Sequence, residues 1–133
     1  QLNAGGFEIT LANKEIGEFV QDWRNSDFDM FVSANGGNPD PDQYFYRTFK
    51  TGGSTNVFKY SDSQIDEWLD EGRKSTSTEE RRSIYNKVQE KLACEGPISH
   101  IAYGDLSTAV NKQVKGFDIY ATGGMASLIS VTK

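Results

Sequence analysis

Ser33, Asn35 and Asn38 alternate with Ala34, Gly36 and Gly37 in the stretch VSANGGN, so one short segment holds a hydroxyl and two carboxamides among small residues. Carboxamides donate and accept hydrogen bonds, and glycine lets a backbone come close to another molecule. The set can therefore hold a polar solute without reacting with it. The same residue types also build ordinary turns. Groups that could make or break bonds are worse placed. His100 is the single histidine and Cys94 the single cysteine, so a metal set or a Ser-His-Asp triad lacks parts and no internal disulfide can form. Carboxylates are abundant, but a catalytic pair needs one of them desolvated, and nearly all fall on polar helix faces or at helix caps. Asp29 and Asp40 stand apart by position; Asp40 is needed as a cap, and Asp29 flanks a strand, where a local hydrogen bond is the default. The Gly pairs in GGFE, NGGN, TGGS and TGGM lack the spacing and the following Lys of a phosphate loop. No enzyme activity, no cofactor and no metal are expected.

The elements around these residues follow from periodicity. Gly5-Gly6 ends what reads as the last turn of a helix, and Phe7, Ile9 and Leu11 then alternate as a strand near 7–11. Asn13 is the expected cap of a helix whose Ile16, Phe19, Val20 and Trp23 form one apolar stripe, running to about Asn25. FDMFVS reads as a second strand, 28–33, and strand, helix, strand in succession suggests a right-handed βαβ unit. In PDPDQYFYRTF, Asp40 caps a helix with Pro41 at its first position and Gln43 completing a capping box. Phe45 and Phe49 should face inward, leaving Tyr44 or Tyr46 at the rim. A helix capped by Ser61 should bury Ile65, Trp68 and Leu69, end at Gly72, and present an acidic, solvated outer face. The strongest helix starts at the capping box of Ser77 and Glu80, repeats Ile84, Val88 and Leu92, and stops at Gly96-Pro97. A short strand is expected near 98–103, followed by a Gly-interrupted tail.

The chain of 133 residues is about one domain long, and 36% hydrophobic with 25% charged residues fits a folded, soluble protein. Its net charge of −5, with scattered basic residues, argues against a nucleic-acid partner. No apolar run approaches the roughly 20 residues that span a bilayer. Gln1 in place of Met points to a processed or trimmed chain that lacks the remainder of a longer protein.

The order of several motifs carries more than any one of them. DFDMFVSANGGNPDPDQYFYRTF, then YSDSQIDEWLDEG, then EERRSIYNKVQEKL running into a Pro-containing segment, then VKGF, resemble the C-terminal part of the extracytoplasmic solute-binding proteins of oligopeptide, dipeptide and nickel ABC importers. The resemblance covers about residues 1–118. It implies an α/β fold, a βαβ-containing sheet with flanking helices, forming part of one lobe of a two-lobed periplasmic-binding-protein-like architecture. Residues 1–114 would be the later half of one solute-binding lobe and 115–133 a tail returning to the other. The implied function is binding of a peptide or other small solute between two lobes and its delivery to an ABC permease, in the periplasm or, in a Gram-positive cell, as a surface lipoprotein. A sensory or interaction module that presents a bound solute to a membrane partner is the alternative.

By the same resemblance Ser33, Ala34, Asn35, Gly36, Gly37 and Asn38 face the cleft between lobes. Peptide-binding members commonly carry a Trp there and, three residues later, an Asp that pairs with the ligand's amino terminus. Ala34 stands at the Trp position and Gly37 at the Asp position. Without that carboxylate a buried ammonium is less well answered, so a sugar-like, opine-like or other polar solute becomes as good a candidate as a peptide.

Overall fold

The computed structural model describes residues 2–34, 39–105, 107–120 and 126–132. They divide into two compact units, Gln1–Val32 and Ser33–Lys133.

In the first unit a short 3-10 turn, Asn3–Gly5, is closed by Gly6 in the left-handed conformation (φ 92°), whose N–H donates to the Asn3 carbonyl. The helix stop read at Gly5-Gly6 is therefore present. Helix α1, Ile16–Asn25, follows with Glu15 at its N-cap and no side-chain capping bond, so Asn13 does not cap it. Lys14 instead pairs with Asp22, and with Glu18 at 3.3 Å. Phe19 and Phe28 both meet the edge or face of Phe31, at ring distances of 5.8 and 4.8 Å. No residue of α1 is fully buried.

The second unit is built on three helices: α2, Pro41–Phe49; α3, Ser63–Lys74; and α4, Thr78–Glu95. Each begins on an acceptor side chain. Asp40 accepts from the Asp42 N–H, Asp62 from the Gln64 and Ile65 N–H groups, and Ser77 from the Glu80 N–H. Asp62, not Ser61, caps α3, because its carboxylate reaches two amides at once. Gly72 does not end α3; it is buried within it, where the Tyr85 ring leaves only 3.0 Å for any added Cβ. In α4 the expected Ser77–Glu80 box is half formed, since the Glu80 carboxylate turns to the Ser75 hydroxyl.

Helix α3 packs between α2 and α4. Their apolar stripes meet in a core of Phe49, Ile65, Leu69, Tyr85, Val88 and Leu92, with Tyr44, Phe45, Tyr60, Trp68 and Ile98 packed around it. Ile65, Leu69 and Val88 are completely excluded from solvent. Burial of each such side chain contributes about 1.5–3 kcal/mol, which is what these helices rest on, because isolated helices of this length are marginal in water.

The α/β expectation is corrected. Among the described residues there is no strand and no sheet; the sole extended pairing is an isolated antiparallel bridge between Lys115 and Thr132, with N–H···O distances of 2.9 and 3.0 Å. The segments 7–11, 28–33 and 98–103 carry the alternation of strands but lie in irregular backbone. A strand needs a neighbour about 4.8 Å away to satisfy its N–H and C=O groups, whereas a helix satisfies its own. No described segment supplies that neighbour, so the apolar side of the alternation stays in water: Leu11 is 81%, Val32 78% and Ile101 82% exposed.

Candidate functional site

The loop proposed from sequence is followed in the chain by the start of α2, which several side chains hold in place. Asp40 Oδ1 accepts from the Asp42 N–H at 2.8 Å and from Arg81 Nη2 at 2.7 Å. Pro41, with no N–H to satisfy, opens the helix. Asp42 is gripped by Arg73, with Nε 3.1 Å from Oδ1 and Nη2 2.7 Å from Oδ2, and it also accepts from the Tyr85 hydroxyl at 3.4 Å. Arg81 Nη1 reaches the Gly72 carbonyl at 2.7 Å. The start of α2 is thereby tied to the end of α3 and the start of α4. Burial, reinforced by the negative charge of Asp42, pushes the Tyr85 phenol up to about 12, so it stays a neutral donor.

Upstream of that anchor, Ser33 and Ala34 are exposed. Asn35, Gly36, Gly37 and Asn38 lie outside the described residues. The expected strand leading into them is absent, so Ser33 is not at a strand's carboxyl end. Asp29 and His100 are exposed, the latter with its ring stacked on Tyr103 at 6.0 Å, and Cys94 lies exposed near the end of α4. Among the described residues no three His, Cys, Asp or Glu side chains gather where they could hold a metal ion.

Of the expected split of aromatics on α2, the burial of Phe49 is seen, but Tyr44, Phe45 and Tyr46 are all half-buried and pack against the core, and Tyr46 also lines a surface groove. Tyr46 leads to a feature that the sequence reading missed. An open groove of about 660 Å³ lies along the outer side of α2, lined by Tyr46, Arg47, Lys50, Arg73 and the loop 51–54. The Arg73 guanidinium sits 3.3 Å over the Tyr46 ring, and Lys50 Nζ pairs with Asp70 at 2.7 Å. That hydrogen bond from Lys50 holds the Asp70 carboxyl below the usual carboxylate range, with the Tyr46 hydroxyl adding to it. The available signal was the helical spacing of Gln43 with Arg47 and of Tyr46 with Lys50, which puts four polar or amphipathic side chains on one exposed side.

Three curated proteins resemble this chain over most of its length. The nickel-binding protein NikA of Staphylococcus aureus is 25% identical over 109 residues, 82% of this chain and 22% of its own. The probable di/tripeptide-binding protein 5 of Pseudomonas aeruginosa is 22% identical over 126 residues, covering 92% of this chain and 24% of its own. The dipeptide-binding protein DppE of Bacillus subtilis is 25% identical over 121 residues, 91% of this chain and 22% of its own. No family model matches the chain, and no solved structure does. The chain thus spans less than a quarter of the length of the curated relatives it matches, and it is similar to proteins named for binding peptides or nickel.

Proposed function

We propose that this chain is part of a non-enzymatic solute-binding protein that works outside the cytoplasm and delivers a peptide or another small polar solute to the permease of an ABC importer. The observation that carries the reading is similarity along 82 to 92% of the chain to proteins named for binding dipeptides, tripeptides or nickel. Ser33, Asn35 and Asn38 supply hydrogen bonds to the solute, while Ala34, Gly36 and Gly37 leave space for it. The Asp40–Arg81 and Asp42–Arg73 pairs support this assignment, because they fix the helix to which the loop is joined.

A site made by one wall cannot enclose a solute in the way ligand sites do. Calorimetric titration of the complete protein with di- and tripeptides, sugars and opine-like solutes should therefore find saturable binding of one class. The present chain alone should bind the same solute feebly or not at all. Turnover of an ester or phosphoester that survives repurification, or no binding by the complete protein to any class, contradicts the proposal.

A further inference from the structure

The groove along α2 is not used by the reading above. Although the chain carries a net charge of −5, this groove is lined by Arg47, Lys50 and Arg73 against the single carboxylate of Asp42. Two of these cations are committed. Lys50 Nζ holds Asp70 at 2.7 Å and the Asp66 carbonyl at 3.2 Å, and Arg73 is forked on Asp42 while stacked on Tyr46. Arg47 is exposed, and among the described residues no carboxylate pairs with it. Asp42 and Asp70 answer Arg73 and Lys50, and the Asp66 carboxylate adds a third negative charge at Thr51, so the local charge is balanced while Arg47 itself has no ion-pair partner among the described residues.

The adjoining loop offers donors in the same state. The Thr51 N–H is bonded to Asp66 at 2.8 Å, the Gly53 N–H to the Lys50 carbonyl at 2.8 Å, and the Thr55 N–H to the Arg47 carbonyl at 2.9 Å. Among the described residues the N–H groups of Gly52 and Ser54 and the Ser54 hydroxyl have no acceptor. Gly52 is in the left-handed conformation (φ 71°), and Gly53 lies so close to α2 that an added Cβ would stand 2.5 Å from the Arg47 carbonyl oxygen. The loop donors are thus held against the helix end that carries Arg47.

We propose that Arg47 and the Gly52–Ser54 backbone form a binding site for a single oxyanion group, a carboxylate or a phosphate, independent of loop 33–38. Arg supplies a planar fork that matches either group, and turn amides supply the remaining hydrogen bonds. One guanidinium without an ion-pair partner among the described residues suits one anionic group, and the balanced charge around it predicts modest, millimolar-range affinity rather than tight capture.

Nitrogen-15 NMR titration of this chain with sodium phosphate, and separately with sodium acetate, at ionic strength fixed by sodium chloride, tests the proposal. The Gly52 and Ser54 amides and the Arg47 side chain should shift and saturate with at least one anion. Response to phosphate alone assigns a phosphate site; response to both assigns a general oxyanion site. Arg47→Gln should weaken binding about tenfold, Arg47→Lys less, and Lys87→Gln, on exposed α4 surface outside the groove, not at all. Absence of saturable shifts with either anion, or binding undiminished in folded Arg47→Gln, overturns it.

Discussion

Asp40 shows how much one side chain can be asked to do. Its carboxylate caps α2 and pairs with Arg81, so Asp40→Ala should destabilise the second unit by about 1 kcal/mol, read as a lower urea midpoint with unchanged slope. Asp40→Asn keeps the cap and should cost much less. The charged groups also set a pH dependence. The Ile65 N–H, with help from Lys91, holds the Asp62 carboxyl below its ordinary range, and Lys50 does the same for Asp70. Both groups bind protons less readily folded than unfolded. Their contribution is therefore present above about pH 4 and is lost as pH falls through the folded values. Urea midpoints measured across acid pH should fall in that window, and less steeply in Asp70→Asn. Tyr85 behaves in the opposite sense: pushed up to about 12, it contributes fully below about pH 10 and loses that contribution as pH climbs toward 12. Phenolate absorbance should show late-titrating tyrosine, because burial raises Tyr60 as well, and Tyr85→Phe should remove the component near 12.

At the scale of elements, the helices of the second unit were legible and the strands were not, for one physical reason. Ile65, Leu69, Ile84, Val88 and Leu92 are spaced to make stripes that bury against one another, so local pattern and tertiary packing agree. Leu69→Ala, at a site with no solvent exposure, should cost about 2–5 kcal/mol in thermal or urea unfolding. Segments 7–11 and 28–33 have a strand's alternation, but a ladder depends on a distant partner that no alternation can guarantee. The caps Asp40 and Ser77 were legible, whereas the α3 cap was misread by one position where Ser61 and Asp62 compete, and α1 has no side-chain cap at all. The groove was illegible for a related reason: Arg47 and Lys50 announce one face of α2, but the cation–π contact with Arg73 depends on how α3 crosses it. Gly53→Ala should reveal how tightly loop and helix fit there, lowering stability by about 1–3 kcal/mol because its Cβ meets backbone rather than a movable side chain.

For the molecule as a whole, three proteins named for binding peptides or nickel are similar across most of this chain, which matches only 22 to 24% of their own length. The described residues supply a helical unit with a fixed α2 terminus, and the proposed solute loop is joined to that terminus. The central claim is that loop 33–38 contacts the solute and that Gly37, where a carboxylate would favour a free ammonium, helps set its choice. Equilibrium binding of the complete protein, wild type against Asn35→Ala and Gly37→Asp, tests this most directly, with melting curves confirming that each variant folds. Asn35→Ala should weaken a polar solute a few-fold to tenfold, and Gly37→Asp should shift preference toward solutes bearing a free ammonium and away from anionic ones. Affinity and selectivity unchanged in both folded variants would contradict the account and leave the loop an ordinary turn.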